Sequence, residues 1–244
     1  MLDNKKEVMS EFWISKGSSI DDAANTYNHT TFRCGDEKHD LEIKELVNSN
    51  LINNETTMLD LGCGTGRICQ HFYKDVKKVV GVDIGAGFIS RLNLWKENES
   101  VSNVDFFVLD FWENDFYKKF YDTFNLVLIY GATIYVSDDN DYINILTNLY
   151  KVIAPKGSLI IKQTTSIVDK DVYVDSYIAE EKDSKRYIAY YHTPENIISF
   201  ANRSGFRFIK SHPAYDKFLI GEDLYYKIER WPNTRQMYFY FVRR

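Results

Sequence analysis

From residue 57 to residue 162 the chain alternates between two kinds of apolar pattern. Short, nearly continuous apolar runs occupy Thr57–Leu61, Val79–Val82, Val104–Leu109, Phe124–Tyr130 and Ser158–Lys162. Between them, apolar residues recur at helical spacing. These stretches cover about Gly66–Tyr73, the set Phe88, Leu92 and Trp95, Trp112–Phe120, and the set Tyr142, Ile145, Leu146, Leu149, Tyr150 and Ile153. The last carries the clearest helical period in the chain. Asp138 or Asp139 caps it, and Pro155-Lys156-Gly157 breaks it before the fifth strand. Continuous apolar strands separated by helices predict a parallel sheet covered on both faces.

The flanks read differently. Ahead of the first strand, Val8, Phe12 and Trp13 have helical spacing, and Ser19 caps a second short helix through Ile20, Ala23, Ala24 and Tyr27. The charged segment Asp36–Asn50 predicts a helix with Ile43, Leu46 and Val47 on its apolar side. After the fifth strand, Val172–Ala179 and Tyr187–Tyr191 flank the charged turn Glu180–Arg186 and predict a hairpin. Thr193 and Pro194 open a helix through Ile197, Ile198 and Phe200, and Gly205 closes it. Phe206–Ile209 and Met237–Val242 are the sixth and last strands. No repeat or boundary interrupts residues 1–244, so a single α/β domain is expected. Residues 1–35 lie ahead of this alternating core, and residues 163–192 read as a hairpin insertion on it.

Composition narrows the partners. The 244 residues are 44% hydrophobic and 27% charged, with 4 prolines and 12 glycines, as in a soluble domain without a long linker. A net charge of −5 disfavours nucleic acid, which is bound through a basic face. Cys34, Cys63 and Cys69 form no C-x-x-C pair, so neither a disulfide framework nor a zinc site is expected. His29, Cys34 and His39 match no familiar ligand spacing, and no metal is expected. The first residues lack an apolar core, and no run approaches 18 apolar residues. A cytoplasmic protein with no membrane partner, monomeric or homodimeric, is the expectation.

The chemistry concentrates in Met58-Leu-Asp-Leu-Gly-Cys-Gly-Thr-Gly-Arg67, which joins the first strand to a helix. Glycines at 62, 64 and 66 permit positive φ and let a ligand approach the backbone, while a helix start attracts a negative group. The dinucleotide fingerprint needs a third glycine where Arg67 stands, and the Gly-Lys-Ser/Thr of a phosphate-binding loop is absent. A glycine-rich turn that binds nothing is the plainer reading. Asp83 lies 21 residues after Gly62 at the end of the second strand, where a carboxylate suits the two hydroxyls of a ribose. Asp110 and Phe111 follow the third strand, where a carboxylate and an amide suit an adenine edge, and Ile84 suits its face. Tyr130 ends the fourth strand. Taken singly, Asp83 and Asp110 are equally well read as helix caps and Tyr130 as core.

Together these residues resemble class I S-adenosylmethionine-dependent methyltransferases, with Asp60-x-Gly62-x-Gly64-x-Gly66 as the first motif. The resemblance covers most of residues 40–165 and the last strand pair. It implies a Rossmann-like, seven-stranded, mostly parallel sheet with helices on both faces and an antiparallel last strand. It implies that Asp60, Gly62, Cys63, Gly64 and Gly66 border the methionine end of S-adenosylmethionine, with S-adenosylhomocysteine as the product. Asp83 would then meet the ribose, Ile84, Asp110 and Phe111 the adenine, and Tyr130 the place where methionine and acceptor meet. The stretch Tyr190–Glu195 with Ser204-Gly205-Phe206 is similar to the region after the fifth strand in small-molecule members. No Pro-Pro-aromatic signature follows the fourth strand, which disfavours DNA amino methylation, and no acidic metal trio of the catechol type is present.

Methyl transfer from a sulfonium is an in-line displacement that depends on holding the acceptor. A hydroxyl acceptor also needs a base. His192 is the first candidate, with Tyr27 and His29 behind it; the plainer reading of His192 is a packed residue ahead of the Thr193 cap. The expected acceptor is a small polar molecule, foremost a hydroxyl of a sugar or activated sugar-like precursor. An amino sugar or small amine is the alternative, and a non-catalytic cofactor-binding protein is a third reading.

Overall fold

The computed structural model describes residues 3–18, 35–111, 115–177, 186–228 and 231–244. Its frame is a seven-stranded sheet of β1 (Thr57–Leu61), β2 (Lys78–Asp83), β3 (Val104–Val108), β4 (Phe124–Tyr130), β5 (Ile153–Ser166), β8 (Phe206–Pro213) and β9 (Thr234–Arg243). The order is β3-β2-β1-β4-β5-β9-β8. Neighbours are parallel from β3 to β5, whereas β9 runs antiparallel to both β5 and β8. The expected Rossmann-like architecture is therefore present. A separate hairpin pairs β6 (Val172–Tyr177) with β7 (Arg186–Tyr191). The helices are α1 (Asp3–Ser18), α2 (Gly35–Asn48), α3 (Arg67–Phe72), α4 (Ala86–Asn98), α5 (Asp115–Lys119), α6 (Asp139–Val152), α7 (Pro194–Arg203), α8 (Lys217–Ile220) and α9 (Glu222–Ile228).

Alternation along each strand builds two cores. Leu59, Val80, Val127, Ile161 and Phe239 face α6 and α7. Met58, Val79, Leu128, Ile160 and Tyr238 face α2, α3 and α4. Asp138 caps α6 by accepting from the Asn140 and Asp141 amides, and Thr193 caps α7, as their sequence signals predict.

Three expectations need correction. The fifth strand starts at Ile153, directly after α6, and not at Ser158. Pro155-Lys156-Gly157 is an interruption within the strand, where the pairing with β4 jumps between Phe124 and Leu126 and Lys156 takes φ 66°. The charged helix α2 is also turned from its predicted face. Leu46 is buried, but Val47 is 55% exposed, and Glu42 points inward at 1% exposure. Cations beneath the helix account for this orientation, as described below. Finally, strands eight and nine are longer than expected, and the connection between them carries α8 and α9. The second N-terminal helix and the tip of the hairpin lie outside the described residues, as do Tyr27, His29 and Cys34.

These features put several connections at one end of the sheet. The ladder pairs Ser166 at the end of β5 with Thr234 at the start of β9. The β8–β9 connection thus emerges at the same edge as the carboxyl ends of β1, β2 and β4. Helix α1 packs on α4 and β7. Its end comes so close to the turn after β2 that a Cβ on Gly87 would sit 1.9 Å from the Gly17 carbonyl oxygen.

Candidate active site

The glycine loop leaves β1 with Gly62 at φ 79°, Gly64 at φ 53° and Gly66 at φ 72°. Four of its amides are engaged within the protein. Gly62 and Cys63 donate to the Val82 carbonyl at 2.8 and 2.9 Å, and Gly66 to the Cys63 carbonyl at 2.9 Å. Gly64 donates to Asp83 Oδ2 at 2.8 Å. A phosphate cradle needs such amides turned towards its ligand. Between Gly62 and Gly66 the loop therefore offers shape more than donors, and the helix that starts at Arg67 carries no side-chain cap. The glycines serve different ends. A Cβ on Gly66 would strike Leu92 Cδ2 at 2.4 Å, so that glycine allows helix packing. A Cβ on Gly64 would meet nothing within 4 Å, so that glycine opens the backbone towards a ligand.

Asp83 straps the loop to the next turn. Its Oδ1 accepts from the Gly85 amide at 2.8 Å while Oδ2 holds Gly64. Burial raises its pKa, and the bonds from Gly85, Gly64 and Ile84 work in the opposite direction. A carboxylate has about four acceptor positions, and these backbone bonds leave part of that capacity for a ligand hydroxyl. Leu109 donates to the Asp83 carbonyl at 2.9 Å, and Tyr117 Oη to the Phe111 carbonyl at 3.0 Å. This fixes Leu109–Phe111 beside the end of β2, with Ile84, Asp110 and Phe111 all half-buried.

Asp60 and Cys63 lie underneath the loop, at 3% and 8% exposure. Cys69 Sγ donates to Asp60 Oδ2 at 3.5 Å. Burial lifts the Asp60 pKa to about 6, against the pull of Arg67. Tyr130 turns onto the α2 face, 5.8 Å from the Tyr238 ring and under the Lys162 ammonium at 6.0 Å. Its hydroxyl is buried without a hydrogen-bond partner.

His192 is brought elsewhere. It is fully buried against Tyr142 and Phe200. Nδ1 lies 2.9 Å from Asp171 Oδ2 and Nε2 3.1 Å from the Val136 carbonyl oxygen. A carbonyl can only accept, so Nε2 carries a hydrogen. Asp171 also accepts from the Thr193 amide and from Asn196 Nδ2. The histidine belongs to a bracket that fixes the start of α7. Neither ring nitrogen is left to take a proton from an acceptor, which corrects its expected role as a base.

Sequence reasoning missed two features. The first is an aromatic wall formed by α1, the turn after β4 and the hairpin. Trp231 stacks on Tyr187 at 6.1 Å and 2°. Tyr135, in the turn after β4, meets Trp13 and Tyr187 edge-on at 5.7 and 6.3 Å. Four segments thus converge: α1, the 133–135 turn, the hairpin and the 214–233 connection. The available signal was the length of that connection, too long for a hairpin turn. The second is a buried charge cluster. Glu42 accepts from Arg67, Lys162 and Tyr215. No local pattern announces it. Among the described residues no group of three or more His, Cys, Asp or Glu could hold a metal ion, and no helix is long and apolar enough to cross a membrane.

A mostly parallel sheet in this order, a glycine loop open above Gly64 and carboxylates at the ends of β1, β2 and β3 define a class I S-adenosylmethionine-dependent methyltransferase. Comparison with known proteins agrees. The chain belongs to the methyltransferase domain family, whose model matches residues 52–228. It is 25% identical over 161 residues to YqeM of Bacillus subtilis, provisionally named a methyltransferase, and spans 66% of its own length and 63% of that relative's. In fold it resembles an S-adenosylmethionine-dependent methyltransferase from Mesorhizobium loti, with a TM-score of 0.63, 15% identity and coverage of 83% and 98% of the two chains. It also resembles a phosphoethanolamine N-methyltransferase from Haemonchus contortus in complex with S-adenosylhomocysteine, with a TM-score of 0.60, 16% identity and coverage of 84% and 52%.

Proposed function

We propose that the chain transfers the methyl group of S-adenosylmethionine to a small polar acceptor. The donor supplies a methyl already activated on a sulfonium. Gly62, Gly64 and Gly66 border its methionine end, with Asp60 and Cys63 beneath. Asp83 receives the ribose hydroxyls, and Ile84, Asp110 and Phe111 flank the adenine. The acceptor is held beyond β4 and β5, between α1, the β6–β7 hairpin and residues 214–233. In this reading α1 belongs to a lid, its Gly17 resting against Gly85 and Gly87 at the start of α4. The single observation that carries the donor assignment is the loop itself. It is open above Gly64, and its amides are tied to Val82, Cys63 and Asp83.

Of the acceptors, a small amine or amino sugar is favoured over a hydroxyl. A neutral amine is nucleophilic without a base, whereas a hydroxyl needs one, and His192 is sealed between Asp171 and Val136. The Haemonchus contortus neighbour is named for N-methylation, which fits this preference. A hydroxyl acceptor stays the second reading through Tyr27 and His29. The test is transfer of labelled methyl from S-adenosylmethionine into a metabolite extract, with mass spectrometry locating the label on nitrogen or oxygen. Stabilisation by S-adenosylhomocysteine without any transfer would favour a cofactor-binding protein that does no chemistry. No stabilisation at all would overturn the donor assignment.

A further inference from the structure

The densest charge cluster among the described residues lies outside the donor contacts. Glu42 of α2 is 1% exposed. Arg67 donates to one carboxylate oxygen and Lys162 to the other. Tyr215 Oη donates to Oε1 at 3.2 Å. One turn earlier on α2, His39 Nδ1 lies 3.1 Å from Arg67 Nη1. A carboxylate buried this deeply is costly unless it is paired and its lone pairs are filled. Burial pushes the Glu42 pKa up, but Lys162 and Arg67 outweigh it and hold the value near 2. Glu42 is therefore held as the anion, while burial draws the pKa of the Lys162 ammonium down to about 7 against the pull of Glu42.

What sets this cluster apart from an ordinary core ion pair is where its partners stand. Arg67 directly follows Gly66 and is the first residue of α3. Holding its guanidinium fixes the exit of the glycine loop. Lys162 pairs with Tyr130 in the β4–β5 ladder. Its ammonium lies 5.2 Å from the Tyr215 ring, and Tyr215 opens the 214–233 connection. One limb of the cluster reaches the donor loop, and the other reaches the strand ends and the connection on the acceptor side. In-line transfer depends on the relation between these two halves, and an error of about 1 Å costs roughly a hundredfold in rate.

We infer that Glu42 is a positioning residue for methyl transfer, holding the donor loop through Arg67 and the acceptor-side floor through Lys162. It touches neither substrate. The inference rests on the reading of Met58–Arg67 as the donor site. Removing Glu42 outright would leave two buried cations and risks unfolding, so the test divides the cluster instead. Arg67→Met and Lys162→Met each leave Glu42 one cation, and Glu42→Asp shortens the bridge. The affinity for S-adenosylhomocysteine is measured by calorimetry. The rate of labelled-methyl incorporation into one metabolite extract is measured at saturating donor, and melting is followed in parallel. Arg67→Met is expected to weaken S-adenosylhomocysteine binding about tenfold, and Lys162→Met to leave it within about twofold while slowing incorporation about tenfold, as loss of alignment predicts. Glu42→Asp shifts both readouts. Variants that melt earlier but keep both readouts within about twofold would reduce the cluster to a structural ion pair and overturn the inference. So would two variants that move both readouts alike, without the split. A wild-type protein that does not bind S-adenosylhomocysteine would instead overturn the donor reading itself.

Discussion

The two halves of the proposed site are built in different ways. On the donor side, the contacts come from short stretches of chain. Residues 60–67, 83–85 and 109–111 meet through backbone amides, at Gly64 to Asp83, Gly85 to Asp83 and Leu109 to Asp83. On the acceptor side, the contacts are between side chains far apart in sequence: Trp13 with Tyr135, Tyr187 with Trp231, Glu42 with Lys162 and Tyr215. A backbone-built half tolerates little change in residue type, because glycine geometry is part of it. A half built from side chains can be re-lined while the donor half stays as it is. One fold can therefore keep its donor and change its acceptor.

This contrast can be broken experimentally. The largest effect is expected at Gly64. A valine there faces a left-handed conformation costing about 1–2 kcal/mol and fills the open space, so donor binding should fall about a hundredfold or more. Calorimetry with S-adenosylhomocysteine reads this. Asp83→Asn comes next. It loses charge-assisted bonds worth about 1.5–3 kcal/mol, or roughly 10–150-fold in donor affinity. Trp231→Ala should spare donor affinity and raise the acceptor KM by roughly 2–10-fold, the range expected from an aromatic pair worth about 0.5–1.5 kcal/mol. Equal losses in donor and acceptor binding would mean that the halves are not separable.

A pH series sharpens the picture beneath the loop. Burial raises the Asp60 pKa from 3.8 to about 6. A carboxyl whose folded pKa lies above its unfolded value stabilises the fold below the unfolded pKa, and that contribution is lost as pH rises through the folded value. Asp60→Asn stays neutral throughout. Its melting temperature relative to wild type should therefore improve from pH 4 to pH 8, and a flat difference would contradict the raised pKa that burial gives Asp60. The smallest effect on catalysis is expected at His192. His192→Gln should lower the melting temperature, since it breaks the contact with Asp171 Oδ2 or with the Val136 carbonyl. The kcat of the folded variant should stay within about threefold of wild type, whereas loss of a general base costs about 10²–10⁴.

Much of the donor half was legible in the sequence because it is local. The alternation of strands and helices, the glycine spacing and the acids at strand ends are all contained in short windows. The acceptor half was not, for physical reasons. Glu42 sits in a charged helix, and a carboxylate there is ordinarily solvated. Only Arg67 and Lys162, 25 and 120 residues away, make its burial possible and turn α2 from its predicted face. His192 has the residue type and position of a base, and only Asp171 and the Val136 carbonyl disclose its structural use. Pro155-Lys156-Gly157 has the composition of a helix stop, yet the strand begins before it, because the pairing of Phe124 with Ile153 resumes beyond the turn at Leu126 with Ser158.

The most direct measurement is a calorimetric titration of S-adenosylhomocysteine into wild-type protein and into folded Gly64→Val. If Met58–Arg67 is the donor site, wild type binds one molecule per chain and the variant shows no measurable heat at the same concentrations. Binding of equal strength in both, or none in wild type, would contradict it.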